Sequence, residues 1–157
     1  MVEDESQIAA VVAAIYEMIS GPAGQRDWSQ QLTYFHPACR QMRTGLDRDG
    51  ASTITIMDPE AYRENTAPIF AAEPFYEIEI GRRIDIFGNM AQVWSLYEAK
   101  RSPDDTIAER RGVNSIQLYK GPAGNWRIVS MIWDNERPGL ALPAIRDVCA
   151  DPLVAVF

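Results

Sequence analysis

The apolar periodicity of this chain predicts an α+β fold, with helices in its first half and a run of antiparallel strands in its second. Three observations carry that expectation. Up to residue 19, and again after Asp58, apolar residues recur three or four apart. From Phe75 onward the period changes to two. Strands and helices do not alternate, which argues against a parallel sheet. The strongest strand signal is the last pair, GVNSIQLY (Gly112 to Tyr119) and NWRIVSMIWD (Asn125 to Asp134), joined by a KGPAG turn. Both runs place large residues on both faces. One face can be covered by the chain's own helices, so an apolar second face suggests a partner subunit.

The elements follow in order. Ile8, Val11, Val12, Ile15 and Ile19 form one helical stripe, with Asp4 or Ser6 as N-cap and Gly21-Pro22 as stop. A short second helix is expected from Asp27, with Trp28, Leu32 and Phe35 pointing inward, ended by His36-Pro37. CRQMRTG reads as a short strand and LDRDGAS as a loop. Asp58-Pro59-Glu60 is a strong helix start, with an acid as N-cap and proline in the first turn; Pro68 should end or kink the helix. Tyr76, Ile78, Ile80, Ile84 and Ile86 then share one parity, and Glu77, Glu79 and Asp85 the other. Gly81-Arg82 interrupts that strand and predicts a bulge or bend. Gly88-Asn89 turns the chain into MAQVWSLYEAK, and SPDDT leads to the final pair.

Composition narrows the function classes. The 157 residues fit one domain, with 46% hydrophobic and 24% charged residues, an ordinary globular balance. The net charge of −7, without a Lys/Arg cluster, disfavours nucleic acid. The longest apolar run is far shorter than a membrane span. MVEDESQ is acidic where an export signal would be basic, which points to the cytoplasm. Cys39 and Cys149, far apart and outside any CxxC pattern, fit reduced thiols. No phosphate loop, serine elbow or metal-ligand pair is present, and no cofactor is expected.

The Gly-terminated first helix, the DW...LTYFHP segment, FYEIEIGRRIDIFGNMAQVWSLYEA and RGVNSIQLY...NWRIVSMIWD resemble the nuclear transport factor 2-like superfamily, and most of all its small bacterial members of unassigned activity. The resemblance implies a curved antiparallel sheet wrapped round the N-terminal helices as a cone, a pocket at its wide end and a homodimer across the outer sheet. It also implies one domain over residues 1–136, with 137–157 as an extension that packs on it or on a partner. Relatives include isomerases, dehydratases, cyclases, hydrolases and non-catalytic binding domains, so the fold leaves function open. Ketosteroid isomerase carries its base on the strand after the second helix; CRQMRTG has no acid. Scytalone dehydratase uses histidines, and here His36 stands alone beside a proline. Limonene epoxide hydrolase uses an Asp–Arg–Asp set; this chain offers Asp134, Arg110, Arg111 and Glu98 near neighbouring strand ends.

Pairing Leu118 with Trp126 places Arg110 opposite Asp134, and a slip by one residue substitutes Arg111. Such a pair is either a rim salt bridge worth ~0–1 kcal/mol or a catalytic set, with Asp134 as base and an arginine as orienter. Asn114 and Ser130 either bond each other or face a ligand. Tyr97, beside small residues, is either core or pocket wall, and Trp28, Tyr62 and Ile132 complete the expected lining. Cys39 beside Arg40 would need a lowered pKa to act as a nucleophile. Trp94, Leu96, Val129, Met131 and Trp133 are expected on the outer, dimer-forming face. The function expected is binding of a small apolar molecule in a cavity of ~300 Å³ or more, with cofactor-free isomerisation, dehydration, cyclisation or hydration as the chemistry. The alternative is a non-catalytic accessory domain. A displaced pKa in the pocket favours the enzyme. The last residues, PLVAVF, are apolar enough to need cover on their own domain, the pocket or a partner.

Overall fold

The computed structural model describes residues 2–145, so the expectation for PLVAVF lies outside the described residues. Helix α1 (Val2–Ile19) is followed by a single turn, α2 (Gln31–Tyr34). Strands β1 (Phe35–Leu46) and β2 (Ser52–Met57), helix α3 (Pro59–Ala72), and strands β3 (Tyr76–Phe87), β4 (Met90–Lys100), β5 (Arg110–Lys120) and β6 (Trp126–Asn135) complete the chain. The strands form one sheet in the order β2-β1-β6-β5-β4-β3. Helix α1 touches both β3 and β6, so the sheet curls round it. Among the described residues no helix is long and apolar enough to cross a membrane.

The core lies between the α1 stripe and the concave face. Ile8, Val12 and Ile15 pack against Val93, Ile116 and Ile128, all nearly sealed from solvent. Arg26 finishes α1: its Nε donates to the Ile19 carbonyl (2.7 Å) and its Nη2 to that of Gly21 (3.2 Å), satisfying groups a helix end leaves open. Asp4 lies inside α1 rather than at its cap. It accepts from Trp126 Nε1 (2.9 Å) and pairs with Lys120 (2.7 Å), tying the first turns to the last hairpin. Asp58 is the N-cap of α3, accepting from the Ala61 amide (2.8 Å).

Several local expectations are corrected. The second helix shrinks to one turn, and Leu32 is 50% exposed. The strand expected at CRQMRTG starts earlier, at Phe35, with His36 Nδ1 accepting from the Ala38 amide (3.1 Å). STITIM forms the edge strand β2, whose β-branched residues went unread. Helix α3 runs through Pro68 to Ala72, since proline forfeits one intrahelical bond on an exposed face without ending the helix. Strands β1 and β6 pair in parallel, whereas every other pair is antiparallel.

Two bulges decide which side chains face inward. The first falls between Glu79 and Gly81, where a break was expected, and it reverses parity. Before it, Glu77 and Glu79 stand opposite Ala99 and Tyr97 on the concave face, while Ile78 and Ile80 point outward. After it, Ile84 and Ile86 take the concave face, against the core. The second bulge makes Val129 an extra residue, since Gln117 pairs with Ser130 but Leu118 with Ile128. Met131 and Trp133 therefore point inward, and Ser130, Ile132 and Asp134 outward, the reverse of even alternation. Asp134 stands opposite Val113, so neither expected Arg–Asp register forms.

Candidate functional site

Beneath α3 the concave face encloses a cavity of about 280 Å³. Its walls are aromatic. Tyr62 meets Trp133 edge-on at 6.4 Å between centroids, and Phe70 lies 5.3 Å from Phe75. Trp28 backs Tyr62 edge-on at 6.0 Å. Helix α3 supplies Tyr62 and Phe70 because positions eight apart recur on the same face. Strands β5 and β6 supply Asn114 and Trp133, which are directly paired.

The Glu77 carboxylate projects into this aromatic space. Its side chain keeps some accessible surface because the cavity opens to solvent, yet protein surrounds it. Burial pushes its carboxyl up to about 7, and the opposing pulls of the Asn114 amide and the Arg110 charge do not cancel that. Behind it a void of about 20 Å³, roughly the room one water needs, is shared with Trp28, Tyr62 and Gln41. Gln41 Oε1 is buried there without a hydrogen-bond partner among the described residues.

A directed chain of hydrogen bonds runs from the cavity to the sheet edge. Glu79 is paired with Arg82 at 2.5 Å and accepts from Ser95 Oγ at 2.8 Å. Ser95 has one proton and gives it to Glu79, so Tyr16 donates across the 2.7 Å contact to Ser95. Tyr16 in turn accepts from Asn114 Nδ2 at 2.9 Å. The amide orientation of Asn114 is thus set by a carboxylate three bonds away. Burial, reinforced by the negative charge of Glu77, pushes the Tyr16 phenol upward, so it stays protonated and donating.

Tyr97 lies across β5, donating to Asn135 Oδ1 at 2.6 Å. This works only over a glycine. A Cβ at Gly112 would sit 2.3 Å from the Tyr97 hydroxyl and 2.4 Å from the Asp134 carbonyl.

No protein-family model matches the chain, and no curated protein matches it. Solved structures do. A protein of unknown function with a cystatin-like fold from Nostoc punctiforme superposes with a TM-score of 0.66 over 87% of this chain and 93% of its own, at 13% identity. A nuclear transport factor 2-like protein from Novosphingobium aromaticivorans gives 0.64 over 84% and 81% at 16% identity. A superfamily protein from Salmonella enterica gives 0.60 over 96% and 99%, also at 16%. The chain has the nuclear transport factor 2-like fold.

On this nuclear transport factor 2-like scaffold the residues singled out from sequence divide between two faces. Tyr62, Tyr97, Asn114 and Arg110 line the concave cavity, and Trp28 the void behind it. Ser130, Ile132, Asp134 and Arg111 belong to the convex face. Asp134 pairs there with Arg137 at 2.8 Å; burial pushes its carboxyl up, but Arg137 and the Asn135 amide outweigh burial and hold it low. Arg111 lies between Glu98 and Glu136 at 3.6 Å from each. Asn114 bonds Tyr16 rather than Ser130, which pairs with Gln117 through the backbone. Cys39 is sealed in the core, where burial outweighs Arg40 and pushes its thiol up to about 12, leaving no nucleophile. Among the described residues no group of three or more His, Cys, Asp or Glu could hold a metal.

The nuclear transport factor 2-like fold here hides two acids from a reading by parity, Glu77 and Glu79, of which Glu77 lines the cavity. Even alternation from Tyr76 to Ile86 puts the acids of this strand in solvent. The Gly81 bulge inverts that assignment, and the glycine beside the acidic positions was the available signal.

Proposed function

We propose that the concave cavity binds a small, mainly apolar molecule and that Glu77, in place of Asp134, exchanges a proton with it in cofactor-free acid–base chemistry. The observation that carries this reading is one carboxyl in an aromatic cavity, pushed up to about 7, where proton acceptance and return are balanced near neutral pH. As the carboxylate, Glu77 takes a proton from a carbon next to a carbonyl or hydroxyl. As the acid it returns that proton one position along or to a departing hydroxyl. Asn114 and Arg110 face the same space and supply hydrogen bonds to oxygen charge that develops on the substrate. Isomerisation and dehydration both fit this set. The displaced carboxyl favours an enzyme over an accessory domain, which has no use for an acid among aromatic rings.

The test is a melting-temperature screen with apolar ketones, alcohols and enones. A true ligand at a hundred times its dissociation constant adds ~2.7 kcal/mol of stability. Glu77→Gln should keep that shift while lowering turnover of a hit by a factor of about 100 or more. A broad panel without any shift refutes the pocket, and full turnover by Glu77→Gln refutes the base.

We also propose a homodimer through the convex face, with residues 137–145 as an adjunct to that surface. Ile54, Ile56, Met42, Ile132, Val113 and Trp94 form an apolar band across neighbouring strands, with Ile54 and Ile56 more than half exposed. Leu140, Leu142 and Pro143 border a groove of about 420 Å³ on that band.

A further inference from the structure

Two arginines of the cavity have no ion-pair partner within 4.0 Å among the described residues. Arg43 extends from β1 with its guanidinium 5.9 Å from the Trp133 centroid, and Arg110 extends from β5 with its guanidinium 5.9 Å from that of Phe75. Both line the same cavity as Glu77. Arg43 donates one hydrogen bond, to Asn65 Oδ1 at 3.1 Å. Among the described residues neither has a carboxylate oxygen within 4.0 Å. The convex face handles its arginines differently: Arg111 lies between Glu98 and Glu136, and Arg137 is paired with Asp134. In a chain with a net charge of −7, acids were available to neutralise the cavity arginines as well.

Three features therefore meet in one small space: apolar aromatic walls, two guanidiniums without an ion-pair partner among the described residues, and one carboxyl that titrates. We infer that the ligand of this cavity is an amphipathic monocarboxylate, its carboxylate held by Arg43 and Arg110 and its apolar body laid against Phe70, Phe75 and Trp133. This deepens the acid–base reading of the same cavity and rests on it. Guanidinium forks match a carboxylate in geometry and form the stronger, charge-assisted class of hydrogen bond. Charge balance selects the same class. One carboxylate together with an ionised Glu77 offsets the two guanidiniums, whereas a phosphate dianion would leave surplus negative charge among aromatic rings. A neutral apolar ligand would leave one of the two cations uncompensated. Volume agrees, since about 280 Å³ is at the small end of ligand pockets and suits a compact acid.

The experiment compares 3-phenylpropanoate with methyl 3-phenylpropanoate, two ligands alike in their apolar body and different in charge. Each is titrated into the full chain by amide-resolved NMR at low and at high salt. The acid should bind at least tenfold more tightly than the ester at low salt, with the preference shrinking as salt screens the arginines. Arg43→Gln and Arg110→Gln should each weaken the acid about tenfold and leave the ester within about twofold. Both side chains reach the cavity rim, and retained amide spectra establish that the variants fold. Equal or tighter binding of the ester overturns the inference and leaves the cavity reading in place. Equal loss of acid and ester in the variants also overturns it, since the arginines then serve only to stack on Trp133 and Phe75. Absence of binding by both probes overturns it too, and the broader melting screen decides separately whether the cavity binds anything.

Discussion

Glu77 combines two tendencies that usually exclude each other: a group that prefers water and a wall of rings that removes it. Its folded carboxyl lies near 7, above the ordinary value of 4.5, so between those two the folded chain binds more protons than the unfolded one. Stability from this group is present below about 4.5 and is lost as pH rises through 7. Denaturant unfolding at pH 5 and pH 8 should show a decline of order 1–3 kcal/mol, which Glu77→Gln removes, leaving the variant the more stable protein at pH 8. An unchanged pH dependence in that variant would place the titrating group elsewhere. Gly112 is the second residue of consequence. A methyl group there meets the Tyr97 hydroxyl and the β6 backbone, so Gly112→Ala should lower stability by roughly 2–4 kcal/mol. Gly112→Ala combined with Tyr97→Phe should recover little, because the Asp134 carbonyl still blocks the space. Full recovery would contradict the backbone clash.

At the level of elements, the positions of α1 and α3 were legible and strand phase was not. Asp58-Pro59-Glu60 announced α3 because capping is local, and the Ile8 to Ile19 stripe announced α1 because a helical period tolerates no ambiguity over about three turns. Strand faces are different. One extra residue reverses every side chain beyond it, and nothing local distinguishes Val129 as that residue. Tyr62, Tyr97 and Asn114 line the cavity, whereas Ser130, Ile132 and Asp134 lie on the opposite face through that single residue. The bulge at Gly81 was legible as a break, but its effect on Glu77 was not, because acids in a strand are ordinarily read as solvent-facing. Deleting Val129 should therefore be tolerated, because Ile128, Ser130 and Met131 then stand opposite Leu118, Gln117 and Ile116 in even alternation and Met131 and Trp133 still point inward. The deletion is expected to cost no more than roughly 3 kcal/mol in denaturant unfolding. Loss of the folded state on deleting Val129 would show that the bulge itself is required.

The whole molecule presents two sheet faces of different chemistry. The concave face holds a titratable group and two arginines without an ion-pair partner among the described residues, inside an aromatic cavity, and the convex face carries the apolar band. Dimerisation through that band should show in sedimentation at micromolar concentration. Because the Val129 bulge turns Trp133 inward, the residue to test is Ile132: Ile132→Glu should yield monomers that keep the native melting profile, whereas an unchanged dimer would move the interface elsewhere. The central claim, that Glu77 is the acid–base group of a ligand cavity, is tested most directly by titrating its side-chain carboxyl carbon by NMR in the folded protein, assigned by comparison with Glu77→Gln. The structure predicts a midpoint near 7, moving when a ligand fills the cavity. A midpoint at the ordinary 4.5, indifferent to every cavity ligand, would contradict it.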